Sequence, residues 1–383
     1  MDSPTNTQFV IDSADFQQLL DALHSAGYRV IGPTVRDGAV IYDDISAVTD
    51  FPAGWTDEQD NGHYRLKPRS DNAWFGYTNS PQSWKRFLHP PAVRLWQSLR
   101  ENGGFSVAPE NGSSPRFAFI GVRACELHAI AIQDNVFLNG PFIDPIYQKR
   151  REGLFVVAVN CGQAGGTCFC ASMNTGPGVT SGFDLALTEI VDDERHEFVV
   201  EVGTEAGAAL LDRVAHREAT EAEVDRARRL VEEVAHHMGR SLEVAGLKER
   251  LYESYDHPHW ENVAARCMTC GNCTMVCPTC FCATIEDTTD LTGQQAERRR
   301  VWDSCFTMDF SYIHGGSVRY SGKARYRQWL THKLATWVDQ FGTFGCVGCG
   351  RCITWCPVGI DLTAEARALQ QSQNDAKQPA GSG

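Results

Sequence analysis

A run of cysteines that occurs twice near the carboxyl end constrains this chain more than any other feature. The copies read CMTCGNCTMVCP over 267–278 and CVGCGRCITWCP over 346–357, and they agree at every cysteine, at the proline and at the glycine after the second cysteine. A duplication of this kind predicts two sites built from the same type of ligand. We call the copies the first ladder, Cys267, Cys270, Cys273 and Cys277, and the second ladder, Cys346, Cys349, Cys352 and Cys356.

The ladder spacing is typical of two-cluster ferredoxins, in which three cysteines of a run hold one 4Fe-4S cluster and the fourth reaches the other cluster. The glycines Gly271 and Gly350 are expected to let the backbone pass close to the clusters. The alternative is structural zinc, which takes four ligands from two pairs of closely spaced residues. Zinc does not explain why each run has a third cysteine at the same spacing. The sequence therefore predicts one 4Fe-4S cluster on Cys267, Cys270, Cys273 and Cys356, and another on Cys346, Cys349, Cys352 and Cys277.

Four further cysteines follow two apolar runs, Phe117–Val122 and Leu154–Val159, which have the length and β-branched content of buried strands. If the strands pair in parallel, the thiols that follow them converge at one sheet edge. Four thiolates hold either a third 4Fe-4S cluster or a zinc ion, and the other two clusters favour iron and sulfur. The alternative is that these cysteines are small buried apolar residues. The predicted third set is Cys125, Cys161, Cys168 and Cys170.

Three cysteines, Cys280, Cys282 and Cys305, stay outside these sets. Three thiols do not complete a tetrahedral metal site, so we expect burial beside a cluster and assign them no ligand role. A basic segment rich in tyrosine and tryptophan follows over Arg319–Val338. It predicts a face that docks an acidic partner, a set of charges that compensates the clusters, or a solvated helix face.

Composition excludes several classes of function. The 35 basic and 48 acidic residues give a net charge of −13, which excludes a nucleic-acid partner. Apolar runs such as Phe155–Val159 are far shorter than the roughly 18 residues of a membrane span. Fifteen cysteines without an export signal indicate reduced thiols and a cytoplasmic protein. No dinucleotide fingerprint, phosphate loop or nucleophile-base pair occurs, so we expect no flavin or NAD(P) site and no catalytic residue on this chain.

The predicted fold class is α+β, with an N-terminal α/β region followed by a helical two-cluster ferredoxin domain. Helices are expected over Ala14–Ala26 and His128–Phe137. The tail lacks an apolar period and is expected to be disordered. The predicted regions are α+β over 1–110, α/β with the cysteine-rich loop over 111–215, a helical connector over 216–260, the helical ferredoxin domain over 261–365 and the disordered tail over 366–383.

Several motifs together resemble one protein family. The segments that carry the resemblance are Gly121–His128, Cys161–Glu189, Cys277–Cys282 and Trp302–Cys305, in addition to the two ladders. They are similar to the iron-sulfur β subunit of cytosolic NAD(P)-linked nickel-iron hydrogenases, the sulfhydrogenases. The same family includes the first subunit of anaerobic sulfite reductase. The likeness runs from about Pro81 to Pro357.

The resemblance implies a protein that passes electrons and converts no substrate itself. Its implied partners are the small and large subunits of a nickel-iron hydrogenase, together with a flavin-containing diaphorase subunit. This agrees with the one-electron relay that the cysteine pattern predicts by itself. Two alternatives stay open, namely the electron-transfer subunit of an anaerobic sulfite reductase and a zinc-stabilised scaffold protein.

Overall fold

The computed structural model describes residues 7–101, 103–109, 115–192 and 195–377. The strands are β1 (Phe9–Asp12), β2 (Arg29–Arg36), β3 (Ala39–Asp44), β4 (Trp55–Asp60), β5 (His63–Pro68), β6 (Ala92–Glu101), β7 (Gly104–Pro109), β8 (Phe117–Val122), β9 (Phe155–Val159), β10 (Leu185–Val191), β11 (His196–Val202), β12 (Arg217–Glu218), β13 (Ala283–Thr289), β14 (Gln295–Trp302), β15 (Tyr312–Ile313) and β16 (Gly316–Ser317). The helices are α1 (Gln17–Ser25), α2 (Lys85–Leu88), α3 (Ala124–Phe137), α4 (Pro145–Arg151), α5 (Glu205–Leu211), α6 (Glu221–His236), α7 (Leu247–Glu253), α8 (His259–Arg266), α9 (Asn272–Met275), α10 (Gly322–Thr331), α11 (Trp337–Phe341), α12 (Arg351–Thr354) and α13 (Leu362–Lys377).

An eight-stranded mixed sheet forms the first half of the molecule, in the order β12-β1-β11-β10-β9-β8-β2-β3. The four central strands β10, β9, β8 and β2 are parallel to their neighbours in this group. Every residue of β8 and β9 is buried, as expected for parallel strands covered on both faces. Alternate side chains enter separate cores on the two faces, such as Ile120 on one face and Phe119 on the other.

This sheet combines two of the regions that the sequence separates. Strands β1 to β3 lie within residues 1–110, whereas β8 to β11 lie within 111–215, and all of them belong to one sheet. The division at residue 110 therefore does not separate two sheets, and the other domain boundaries remain predictions. The expected helices are present as α1 and α3.

The second half contains the ladders and is mainly helical, so the predicted α+β class is confirmed. The segment between the ladders also contains the hairpin β13–β14, which the sequence analysis did not predict. This hairpin pairs with β6 and β7 in a four-stranded sheet of order β13-β14-β6-β7. Its alternating charged residues, including the Arg298–Asp287 pair across the two strands, are typical of an exposed antiparallel sheet.

The prediction of a disordered tail from residue 366 is wrong for residues 366–377, which belong to α13. Leu362, Ala366 and Leu369 recur at helical spacing and are at most 1% exposed in the core of the second half. Asp361 caps the helix by accepting the Thr363 backbone N–H at 2.9 Å. The rest of the predicted tail, 378–383, lies outside the described residues.

Among the described residues, no helix is both long enough and apolar enough to cross a membrane.

Candidate metal centres

The ladders surround two adjacent cavities. The cavity that we call the first site is lined by thiols of both ladders, together with aromatic and apolar residues such as Phe306 and Tyr326. The thiols around it are Cys267, Cys270, Cys273, Cys356 and Cys352. The structure therefore brings together the four residues of the first predicted set.

The second site lies beside the first, and Cys352 lines both cavities. Phe169, Val347 and Lys333 complete its wall. The thiols around the second site are Cys277, Cys346, Cys349 and Cys352. The fourth cysteine of each ladder therefore lies at the cavity of the other ladder, as the crossing pattern predicts.

The two ladders repeat in backbone conformation as well as in sequence. Gly271 (φ 76°) and Gly350 (φ 77°) are left-handed and precede the short helices α9 and α12. Two residues before each glycine, Thr269 and Gly348 are left-handed too. The N–H of Thr269 donates to the Cys267 sulfur at 3.4 Å, and that of Gly348 donates to the Cys346 sulfur at 3.5 Å. Such turns direct backbone donors at sulfur, which stabilises its negative charge.

A third site lies at the carboxyl ends of β8 and β9. Because these strands are parallel, α3 begins after β8 at the same sheet edge where the loop after β9 begins. Thr78, Asn79, Arg123 and Met238 also line this cavity. The thiols around it are the complete third set, Cys125, Cys161, Cys168 and Cys170.

The second and third sites share a wall. The Asn79 side chain donates to the Cys349 carbonyl at 2.7 Å and to the Cys168 sulfur at 3.5 Å. The Phe169 N–H donates to the Gly348 carbonyl at 2.8 Å. The spatial order is therefore first, second and third site, with the second in the middle.

The thiols are spread around cavities and do not gather at single points. Among the described residues, no three histidine, cysteine, aspartate or glutamate side chains lie close enough together to hold one metal ion. The corners of an iron-sulfur cube need separated thiolates, whereas zinc binds sulfur at about 2.3 Å from a single centre.

Burial controls the protonation of these thiols when no metal is bound. It raises the pKa of Cys168 and of Cys346 to about 12, and it also raises the pKa values of Cys273, Cys349 and Cys352. Such thiols are neutral near pH 7, and a bound metal deprotonates them. Loading these sites with metal therefore releases protons.

A buried ion pair joins the second ladder to the α/β half. Arg351 is fully buried, and its guanidinium contacts the carboxylate of Glu126, which is 1% exposed. The Arg351 Nε also donates to the Ser80 carbonyl at 2.8 Å. Burial raises the pKa of Glu126, and the Arg351 charge opposes that rise. Removing either partner would leave a buried charge uncompensated.

The basic segment before the second ladder is only partly a surface. Arg325 and Lys333 are 8% and 4% exposed, so a solvated or docking face is wrong for these two residues. Arg325 donates to the Phe306 carbonyl at 2.6 Å. Lys323 does lie outside, in an ion pair with Glu261 at 2.5 Å. The alternation of aromatic and basic residues reflects a helix with a buried aromatic face.

The three unassigned cysteines contact other thiols near the second site. A hydrogen bond from the Cys280 thiol, together with the Lys333 ammonium, holds the pKa of Cys277 well below its ordinary value. The thiol and the backbone N–H of Cys305 donate to the Cys282 sulfur and lower the pKa of Cys282 to about 7. All three are partly buried.

Several residues of these sites were missed from the sequence. They are polar or charged side chains buried near the thiols, namely Asn79, Lys85, Arg123, Glu126 and Arg351. Lys333 belongs to the basic segment, for which compensation of the clusters was one of the predicted roles. Arg351 lies within the second ladder, so its position in the sequence indicated that it belongs to the site. The motif did not indicate that the Arg351 side chain is buried, because arginine is usually exposed.

Residues 266–360 match the family described as a 4Fe-4S dicluster domain, a range that spans both ladders. The chain is also 33% identical over 354 residues to the sulfhydrogenase 2 subunit beta of Pyrococcus furiosus, which covers 92% of this chain and 95% of that relative. No solved structure matches the chain. The family match confirms 4Fe-4S clusters as the type of cofactor, while the individual ligands stay predictions.

Proposed function

Because the chain belongs to the family of sulfhydrogenase β subunits, we propose that it relays electrons between the small and large subunits of a nickel-iron hydrogenase and a flavin-containing diaphorase subunit. It is an iron-sulfur electron-transfer subunit. In this proposal the diaphorase handles NAD(P)H, the hydrogenase subunits handle hydrogen, and this chain converts no substrate. The fifteen free thiols favour a reducing compartment, the cytoplasm.

The proposed ligands are the three sets of thiols that line the three sites. Bound there, 4Fe-4S clusters would each accept and donate one electron. The observation that carries this proposal is the convergence of twelve cysteines into three neighbouring cavities. The proposed sets are Cys267, Cys270, Cys273 and Cys356 at the first site, Cys346, Cys349, Cys352 and Cys277 at the second, and Cys125, Cys161, Cys168 and Cys170 at the third.

The order of the sites supports a relay. Cys352 lines the first and second cavities, and Asn79 bridges the second site to the third. Cys270 of the first site is exposed, whereas Cys168 of the third is buried. An electron that enters at the exposed end therefore has a continuous sequence of sites through the protein.

Iron analysis of anaerobically purified protein tests the number of clusters. About twelve irons and twelve sulfides per chain are expected, whereas about eight would leave only the ladder sites. Cys168→Ala should lose about four irons, while the matched variant Cys305→Ala, outside all three sites, should lose none. Stoichiometric zinc with no sulfide would identify a scaffold and reject the relay.

The partners are tested on the native complex. Affinity purification of the tagged chain should recover nickel and flavin in proportion to the chain. Recovery of sirohaem would reject the hydrogenase assignment and support the sulfite reductase branch. Electron paramagnetic resonance after addition of NADPH should show reduced clusters on this chain, and no signal would exclude the diaphorase as donor.

A further inference from the structure

Two lysines are buried near the second site. Lys85 and Lys333 are 5% and 4% exposed. Lys85 Nζ donates to the Cys277 carbonyl at 2.9 Å and lies 3.9 Å from the Trp302 ring centre. Lys333 Nζ donates to the Thr279 hydroxyl at 3.0 Å. Within the described residues, neither ammonium forms a salt bridge to an aspartate or a glutamate.

The groups that face these ammonium ions are thiols. The Thr279 hydroxyl bonded to Lys333 lies 3.2 Å from the Cys277 sulfur. Burial lowers the pKa of Lys85, and the Cys280 and Cys277 thiolates oppose that shift. The thiolates of Cys277, Cys280 and Cys346 hold the pKa of Lys333 well above its ordinary value against the effect of burial. Lys333 also lines the second cavity itself. The anionic groups that face both lysines are therefore sulfurs, namely Cys277 of the second site and the neighbouring Cys280.

A buried ammonium is costly unless an anion lies beside it, and a protonated thiol carries no charge. Metal-bound thiolates do carry it. Lys333 occupies a π-helical turn, His332–Thr336, between α10 and α11. Such turns are rare and concentrate at functional sites, and this one places the ammonium on the inner side of the helix. The π-helical turn thus lies where the Lys333 side chain reaches the second cavity.

We propose that Lys85 and Lys333 are positioning residues that raise the reduction potential of the second site and so stabilise its reduced state. The inference rests on the proposed electron relay. Reduction adds one electron, delivered by a neighbouring site of the relay, with no bond formed or broken and no proton transferred. That electron increases the negative charge beside two fixed cations. The cations therefore stabilise the reduced state more than the oxidised state.

Redox titration of the complete complex, followed by electron paramagnetic resonance, tests the inference. At a fixed applied potential, Lys333→Met should lower the ratio of reduced to oxidised second site by about tenfold, which for one electron is about 59 mV. Lys85→Met should shift the ratio in the same direction. Lys333→Arg retains the charge and should restore most of the ratio. Lys323→Met removes a surface lysine paired with Glu261 and should change nothing.

Iron and sulfide content separate failure of this inference from failure of the proposed function. A normal iron content with shifts below about twofold in both methionine variants would overturn the role of the lysines and leave the relay intact. A wild-type protein without iron and sulfide would reject the relay itself. If Lys333→Met does not fold, Lys85→Met decides the question, because Lys85 lies on the separate helix α2.

Discussion

The two ladders share one sequence pattern but differ in how far they are exposed to solvent. Cys270 of the first ladder is exposed, whereas its counterpart Cys349 is 7% exposed. Met268 is 64% exposed, and its counterpart Val347 is 2% exposed. The motif therefore fixes the spacing of ligands and the backbone turns, while the rest of the chain decides how far each site is enclosed.

The enclosure of the second ladder comes from the α/β half. Thr175 donates to the Val347 carbonyl at 2.7 Å, and Thr167 hydrogen-bonds Thr354 at 2.7 Å. Cys267 and Cys273 of the first ladder pack against the core of the helical half, while Cys270 stays exposed. Equivalent substitutions in the two ladders should consequently have unequal effects.

The largest difference is expected at the position after the glycine that both ladders share, which is Asn272 in the first ladder and Arg351 in the second. Arg351→Ala leaves the Glu126 carboxylate buried and unpaired, and it should lower the free energy of unfolding by about 3–5 kcal/mol. Asn272→Ala loses one hydrogen bond to the Trp355 carbonyl and should cost about 1 kcal/mol. Anaerobic urea denaturation of iron-loaded protein measures both.

A control replaces both charged partners at once. Glu126→Gln combined with Arg351→Met should recover part of the lost free energy, because no buried charge remains. Equal destabilisation by the two alanine substitutions would contradict the difference in enclosure.

The shared glycines provide the next comparison. A Cβ at Gly350 would lie 2.4 Å from the Thr167 carbonyl oxygen, which is backbone, whereas a Cβ at Gly271 would meet the Ser304 hydroxyl at 2.8 Å. Both positions have a left-handed backbone, so alanine carries a similar conformational cost at each. Gly350→Ala should therefore destabilise by about 1–3 kcal/mol more than Gly271→Ala.

The same pair has a spectroscopic readout. Because Thr167 precedes Cys168, Gly350→Ala should also alter the paramagnetic signal of the third site, and Gly271→Ala should leave that signal unchanged. If the third-site signal responds to neither variant, the wall between the second and third sites does not couple them.

The smallest expected difference concerns the residues after the first cysteines. Val347→Ala removes two buried methyl groups and should lower the free energy of unfolding by about 1.5 kcal/mol. Met268→Ala, at an exposed position, should remain within about 0.5 kcal/mol of the wild type. Thermal unfolding of matched anaerobic samples is sufficient to compare them, and a larger effect at Met268 would reverse the comparison.

The thiol groupings could be predicted from the sequence because they depend on local patterns. The ladder spacing is a property of a few consecutive residues, and the third set follows from two buried strands that end at one sheet edge. The α+β class followed from the same apolar runs. Each of these inferences needed only short-range periodicity and one topological rule.

The burial of the charged residues around the second site could not be predicted in the same way, although compensation of the clusters was one expectation for the segment that contains Lys333. Lys85 lies far from the ladders in sequence, and Lys333 sits in a basic segment that has the composition of a surface helix. Their burial depends on long-range packing. The prediction of a disordered tail was wrong because a local signal was overlooked. Ala366 and Leu369 complete a short apolar stripe of α13, and the polar residues between them make that stripe hard to recognise in the sequence.

The hydrogen bond from Asn79 to the Cys349 carbonyl joins residues that are 270 positions apart. During synthesis the amino-terminal partner leaves the ribosome long before the cysteine that it supports. Contacts of such sequence separation form late, because a long loop must close first. The wall between the second and third sites can therefore close only after residue 349 has been synthesised, and a nascent chain that stops before residue 346 lacks the whole second ladder.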